Sequence, residues 1–184
     1  MKTILVIVLF ISSVFAPVYA NKDIEIVIVR SAHELQVKLA GSTLRTFKVA
    51  FGSGGRKAKL FEGDHKTPLG TYYIKRVRSS DRFHLFLQIN YPNINDAERA
   101  LQSHIISKKE YQAILIAHVK GQLPPQNTAL GGSIGFHGIG TETKDKIEIH
   151  EFVDWTKGCI AMRNHEIDEL NRYIHIGTKV SIIN

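Results

Sequence analysis

Between Ile24 and Ala50 the chain alternates with a period of two and is punctuated by glycine. Ile24, Ile26 and Ile28 alternate with Glu25, Val27 and Val29, and Leu35, Val37 and Leu39 with Gln36, Lys38 and Ala40. Gly41-Ser42 then signals a turn before a third run, Thr43–Ala50. Side chains two apart share one face of a strand, so this pattern buries one side of a short antiparallel meander. Further strands are expected at Thr71–Val77, Leu85–Ile89 and Lys179–Ile183. Helices are expected after Ser107, whose spacing to Glu110 is that of a capping box, and after Asn164, where Ile167, Leu170 and Ile174 share a face. The expected fold is mainly β (α+β), one domain over residues 24–183 with two or three helices.

Composition narrows the class. The 184 residues suit one domain, and 43% hydrophobic with 22% charged residues is too apolar for a disordered polymer. A single cysteine excludes a disulfide framework and any zinc site built on several thiolates. The net charge of +7 favours an anionic partner. At the start, Lys2 precedes the apolar run Ile4–Ile11, and Val18-Tyr19-Ala20 places small residues where a signal peptidase reads. Residues 1–20 are therefore expected to be a signal peptide. The apolar stretch is shorter than the roughly 20 residues that span a bilayer, so no lasting membrane insertion is expected after cleavage. The mature protein is expected in the periplasm or cell envelope.

Cys159 lies in Thr156-Lys157-Gly158-Cys159-Ile160. It reads either as a buried structural thiol or as a nucleophile. Gly158 permits close backbone approach, Lys157 supplies positive charge and Thr156 a hydroxyl. Backbone N–H groups at such a turn can hold an oxyanion, and the setting is one that lowers a thiol pKa. Of nine histidines, His137 is the candidate base, because it sits in the close-packed segment Gly131–Gly138. His150 is the rival. The alternation of Ile147 and Ile149 with Glu148 and His150 places it on an exposed strand face. The remaining histidines are scattered, so no metal site and no cofactor are expected. Basic residues from Arg56 to Arg82 (Lys57, Lys59, Lys66, Lys75, Arg76 and Arg78 among them) form a dense group without a nucleic-acid motif. They read as a solvated face or a groove for a carboxylate-rich polymer, and nucleic acid is not an expected partner.

His137-Gly138 followed by Thr156-Lys157-Gly158-Cys159 resembles the active-site signature of L,D-transpeptidases of the YkuD type. Phe47–Gly52, Gly63–Tyr72 and Tyr91-Pro92-Asn93 with Asp96 fit in order, and the pattern is most similar to the YafK-type murein branch. The resemblance implies a YkuD-like sandwich or barrel-like sheet and peptidoglycan stem peptides as substrate, with a meso-diaminopimelate donor. It makes Cys159 the nucleophile and His137 the base. Gly158, Thr156, Lys157, Gly138 and Arg163 would serve the oxyanion and the substrate. Ala161 stands where many relatives carry arginine, which leaves Arg163 or the basic loop to bind a carboxylate. Cys159 follows His137 by 22 positions, long for the family, so Thr141–Ile149 is expected to be an inserted loop. Hydrolysis of the same bonds, as a carboxypeptidase or amidase, and a non-catalytic wall-binding module are the alternatives. The sequence sets no oligomeric state.

Overall fold

The computed structural model describes residues 24–184, so the expected signal peptide lies outside the described residues. β1 (Ile24–Val29), β2 (Glu34–Leu39) and β3 (Ser42–Lys48) form the antiparallel meander. Ile24, Ile26 and Ile28 of β1 face the core while the residues between them are half-buried. β4 (Gly70–Ser80), β5 (His84–Ile89), β6 (Gly135–His137), β7 (Ile160–Ala161) and β8 (Lys179–Ile183) complete one mixed, open sheet. Its strand order is β3-β2-β1-β8-β4-β5-β6-β7. β8 runs parallel to β1 and antiparallel to β4, and so joins the meander to the half of the sheet that carries β6 and β7. β4 pairs with β8 over Gly70–Tyr73 and with β5 from Ile74 onward, with an irregularity between Ile74 and Arg76. Such a bulge bends a strand and increases its twist.

Beyond β3 the chain crosses to the other end of the sheet. Ala50 and Ala161 exchange two backbone hydrogen bonds of 3.0 and 2.8 Å, and Thr156 N–H donates to Phe51 at 3.0 Å. These isolated bridges make the wrap barrel-like while the sheet stays open. They also fasten the chain on both sides of Cys159 to the segment that follows β3.

The described residues form four α-helices: α1 (Ile94–Gln102), α2 (Lys108–Val119), α3 (Lys144–Phe152) and α4 (Asn164–Asn171). α2 opens on the Ser107–Glu110 capping box. α1 is one helix more than expected. Tyr91-Pro92-Asn93 is its entry, because the Asn93 side chain accepts from Asp96 N–H at 2.8 Å and the Asn93 N–H donates to the Asp96 carboxylate at 3.0 Å. α3 replaces both the strand around His150 and the inserted loop. The Thr143 hydroxyl accepts from Lys146 N–H at its start, and His150 is buried on it. In α4 the N-cap is Arg163, not Asn164. The Asn164 amide instead clamps Gly140, accepting its N–H at 3.2 Å and donating to its carbonyl at 2.7 Å.

The main core gathers Ile26, Leu35, Tyr72, Leu87, Phe136 and Val180 from the sheet with Ile167 and Leu170 of α4. A smaller cluster of Ala97, Ala100, Ile106, Ile114 and Leu130 holds α1 and α2 together. The candidate residues therefore stand at the edge of a packed sheet, where β6 and β7 end.

Candidate active site

β6 and β7 are parallel neighbours, with Phe136 opposite Ile160 and His137 opposite Ala161. Cys159 immediately precedes β7, so the fold brings it and His137 to adjacent strands. Thr156 shapes the turn between them. Its buried hydroxyl donates to the Cys159 carbonyl at 2.7 Å and accepts the Gly158 N–H at 3.1 Å. Gly158 is at φ 123°, and an added Cβ would lie 2.8 Å from the Lys66 carbonyl. Glycine is required there by backbone conformation and by space. Because Thr156 takes the Gly158 N–H, that group is already occupied within the turn.

Cys159 is half-buried, and its thiol donates to the Ser133 carbonyl at 3.4 Å. Burial pushes the thiol up to about 11, against smaller opposing effects from the Gly135 backbone and Lys59. The expectation of a lowered thiol pKa is corrected here. Lys157 is exposed to water, and withdrawal of the sulfur from solvent outweighs the nearby positive charge.

His137 is 2% exposed. Phe83 lies 4.2 Å from its ring centroid, and Trp155 meets it edge-on at 5.7 Å. Its Nδ1 is 2.8 Å from the Gly138 carbonyl. A carbonyl only accepts, so Nδ1 carries the proton and Nε2 keeps the lone pair. Burial drives the imidazole down to about 4; the Gly138 bond opposes this, and Arg82 and His150 reinforce it. The thiol and the imidazole thus rest as neutral groups, each hydrogen-bonded to a carbonyl.

A cavity of about 360 Å³ opens onto Cys159, with Lys59, Glu62, His65, Ser133 and Lys157 among its lining residues. Two loops form its walls. Glu62 N–H donates to Ala129 at 2.8 Å, and Gly131, at φ 76°, brings its backbone against the Glu62 side chain. Lys59 and Asp64 form a buried ion pair of 2.7 Å. Burial opposes ionisation of Asp64, but bonds from Lys59 and the Leu60 and Lys66 N–H groups hold its carboxyl below the usual range. A second cavity, of about 230 Å³, is walled by Phe83 and Trp155, the rings packed on His137, with Arg82 and Lys146 beside them.

The remaining sequence candidates are placed as follows. Gly138 is buried, its N–H donating to Leu85 at 3.3 Å. Arg163 pairs with Glu142 at 3.1 Å and does not line the Cys159 cavity. His150 accepts a long bond of 3.5 Å from Trp155 Nε1, which makes it a support for the ring beside His137. Lys59, Glu62, His65 and the Ser133 carbonyl were not singled out as site groups by sequence reasoning. The Lys59–Asp64 spacing ahead of Thr67-Pro68 was the available signal.

The model of the YkuD L,D-transpeptidase catalytic domain matches residues 23–182. This chain belongs to that family. Solved structures share the fold. Bd1075 of Bdellovibrio bacteriovorus superposes with a TM-score of 0.54 at 20% identity, covering 88% of this chain and 48% of that one. The helical cell shape determining protein Pgp2 of Campylobacter jejuni gives 0.53 at 18%, covering 86% and 46%. An L,D-transpeptidase from Mycobacterium smegmatis gives 0.52 at 12%, covering 88% and 59%. The chain thus spans about half the length of these structures. No curated protein matches it.

Proposed function

We propose that this YkuD domain is an exported cysteine acyl-transferase of the cell wall, acting on peptidoglycan stem peptides through a thioester at Cys159. The observation that carries the reading is the placement of Cys159 at an open cavity, next to the strand whose His137 has its tautomer fixed by Gly138. Family membership supplies the substrate class, and the residues 1–20 pattern supports export to the periplasm or cell envelope.

With both groups neutral at rest, the sulfur is activated as it attacks. Cys159 turns from the Ser133 carbonyl and passes its proton to His137 Nε2 while Sγ bonds to the carbonyl carbon of the diaminopimelate donor. The carbonyl electrons become an oxyanion held by the Cys159 N–H. When that intermediate collapses, the C–N bond to the leaving D-amino acid breaks, and the imidazolium returns the proton to the departing amine. An acceptor amine or water then attacks the thioester, its proton going to His137 and on to the released thiol. Amine gives transpeptidation; water gives a carboxypeptidase or amidase.

Incubating the purified protein with defined diaminopimelate-containing muropeptides, with and without an acceptor amine, tests the reading. Cross-linked or exchanged products that require the amine support transfer, and shortened peptides in both conditions support hydrolysis. Products that persist undiminished in Cys159→Ala would remove the proposal.

A further inference from the structure

The Lys59 ammonium is almost wholly buried, yet it lines the cavity that opens onto Cys159. Of its three N–H donors, one goes to the Asp64 carboxylate at 2.7 Å and one to the Phe61 carbonyl at 3.0 Å. Burying an ion pair is seldom the cheapest way to hold a loop, because desolvation offsets much of the attraction and neutral groups of similar shape can serve. Asp64 is also held by the N–H groups of Leu60, Phe61 and Lys66, so the loop has a backbone lock besides the lysine. What a neutral side chain could not supply is a fixed positive charge, poorly screened by water, in the wall of the cavity onto which Cys159 opens.

We propose that Lys59 is an electrostatic positioning residue for Cys159, a buried cation that favours negative charge on the sulfur as its proton leaves. This rests on the reading of Cys159 as a nucleophile. The charged or titratable groups around the thiol are Lys59, Glu62, His65 and Lys157 from the cavity wall and the neutral His137 on β6. Glu62 and Lys157 are exposed, and water screens them. Of the two lysines in this wall, Lys59 is the buried one, and its charge favours the thiolate.

Cys159 is the single cysteine, so the pH dependence of its alkylation by iodoacetamide reports its ionisation directly and needs no peptide substrate. Lys59→Gln removes the charge while keeping an amide that donates to the same oxygens. It is expected to slow alkylation about threefold at pH 8, an upward titration shift of about half a unit. Lys59→Arg is expected to keep the wild-type profile, and Lys157→Ala to shift it less than Lys59→Gln. If Lys59→Gln fails to give a folded circular-dichroism spectrum, the neutral pair Lys59→Met with Asp64→Asn takes its place and is expected to shift the profile upward by a smaller amount, because the Asp64 charge is removed with the lysine's. A folded Lys59→Gln or neutral-pair variant with the wild-type profile would overturn the proposal. So would Lys59→Arg shifting as far as Lys59→Gln, which would mark a purely structural lysine. Should the stem-peptide reading fail while these shifts appear, the electrostatic role of Lys59 stands on its own.

Discussion

Thr156→Val is the most informative single change to the turn that carries Cys159. Valine matches threonine in shape but lacks the hydroxyl, so the change removes the 2.7 Å bond to the Cys159 carbonyl and the 3.1 Å bond from Gly158 N–H. Thr156 is 3% exposed and Gly158 is buried, so water does not replace the lost partner of Gly158 N–H. Two lost hydrogen bonds, one leaving a buried donor unpaired, amount to about 2–4 kcal/mol. For a domain of this size that is roughly 4–15 °C in melting temperature. Urea unfolding and thermal melts of wild type, Thr156→Val and Thr156→Ser measure it. Serine keeps the hydroxyl and is expected to retain more than half of the lost stability. A Thr156→Val variant within about 0.5 kcal/mol of wild type would refute the reasoning, because it would show that the hydroxyl does not lock the turn.

Other consequences follow from the same geometry. Gly158→Ala is expected to cost more than about 2 kcal/mol, combining a positive φ with a Cβ set against the Lys66 carbonyl, as urea midpoints will show. His137 is held near 4 when folded and titrates near 6.5 when unfolded, so the unfolded chain binds the extra proton between those values. Its contribution, roughly 3 kcal/mol, is complete above pH 6.5 and lost as pH falls toward 4, which unfolding at pH 7, 5.5 and 4.5 in wild type and His137→Phe will test. Cys159 has the opposite sense: its raised pKa makes stability fall as pH rises from 9 to 11, a loss that Cys159→Ser should remove. Trp155→Leu, which removes the ring beside His137 and the donor to His150, is expected to lower turnover at least tenfold with little change in KM, measured on muropeptides.

The meander was legible because β1 and β2 bury one face each, which leaves a period of two in the sequence. Ser107 with Glu110 was legible because a capping box is local chemistry. α3 was not. Within its nine residues, Ile147 and Ile149 alternating with Glu148 and His150 imitate a strand, and Ile149 and Phe152 are exposed, so no apolar stripe marks the helix. α1 was hidden because Asn93 and Asp96 follow a proline and look like a loop until their reciprocal bonds are seen. In the site, the thiol's neutrality depends on the Ser133 carbonyl and on burial across 26 residues of sequence, which spacing does not report. Lys59 was visible only as one of many basic residues, since its burial depends on Asp64 folding back onto it.

The central claim is that Cys159 carries the acyl group during turnover. Intact-mass spectrometry of the protein quenched in acid during reaction with a diaminopimelate-containing stem peptide tests it most directly. The account predicts a covalent adduct of the donor acyl mass that maps to the peptide containing Cys159, weakened in His137→Ala and missing in Cys159→Ala. An adduct on any other residue, or one that survives in Cys159→Ala, would contradict it.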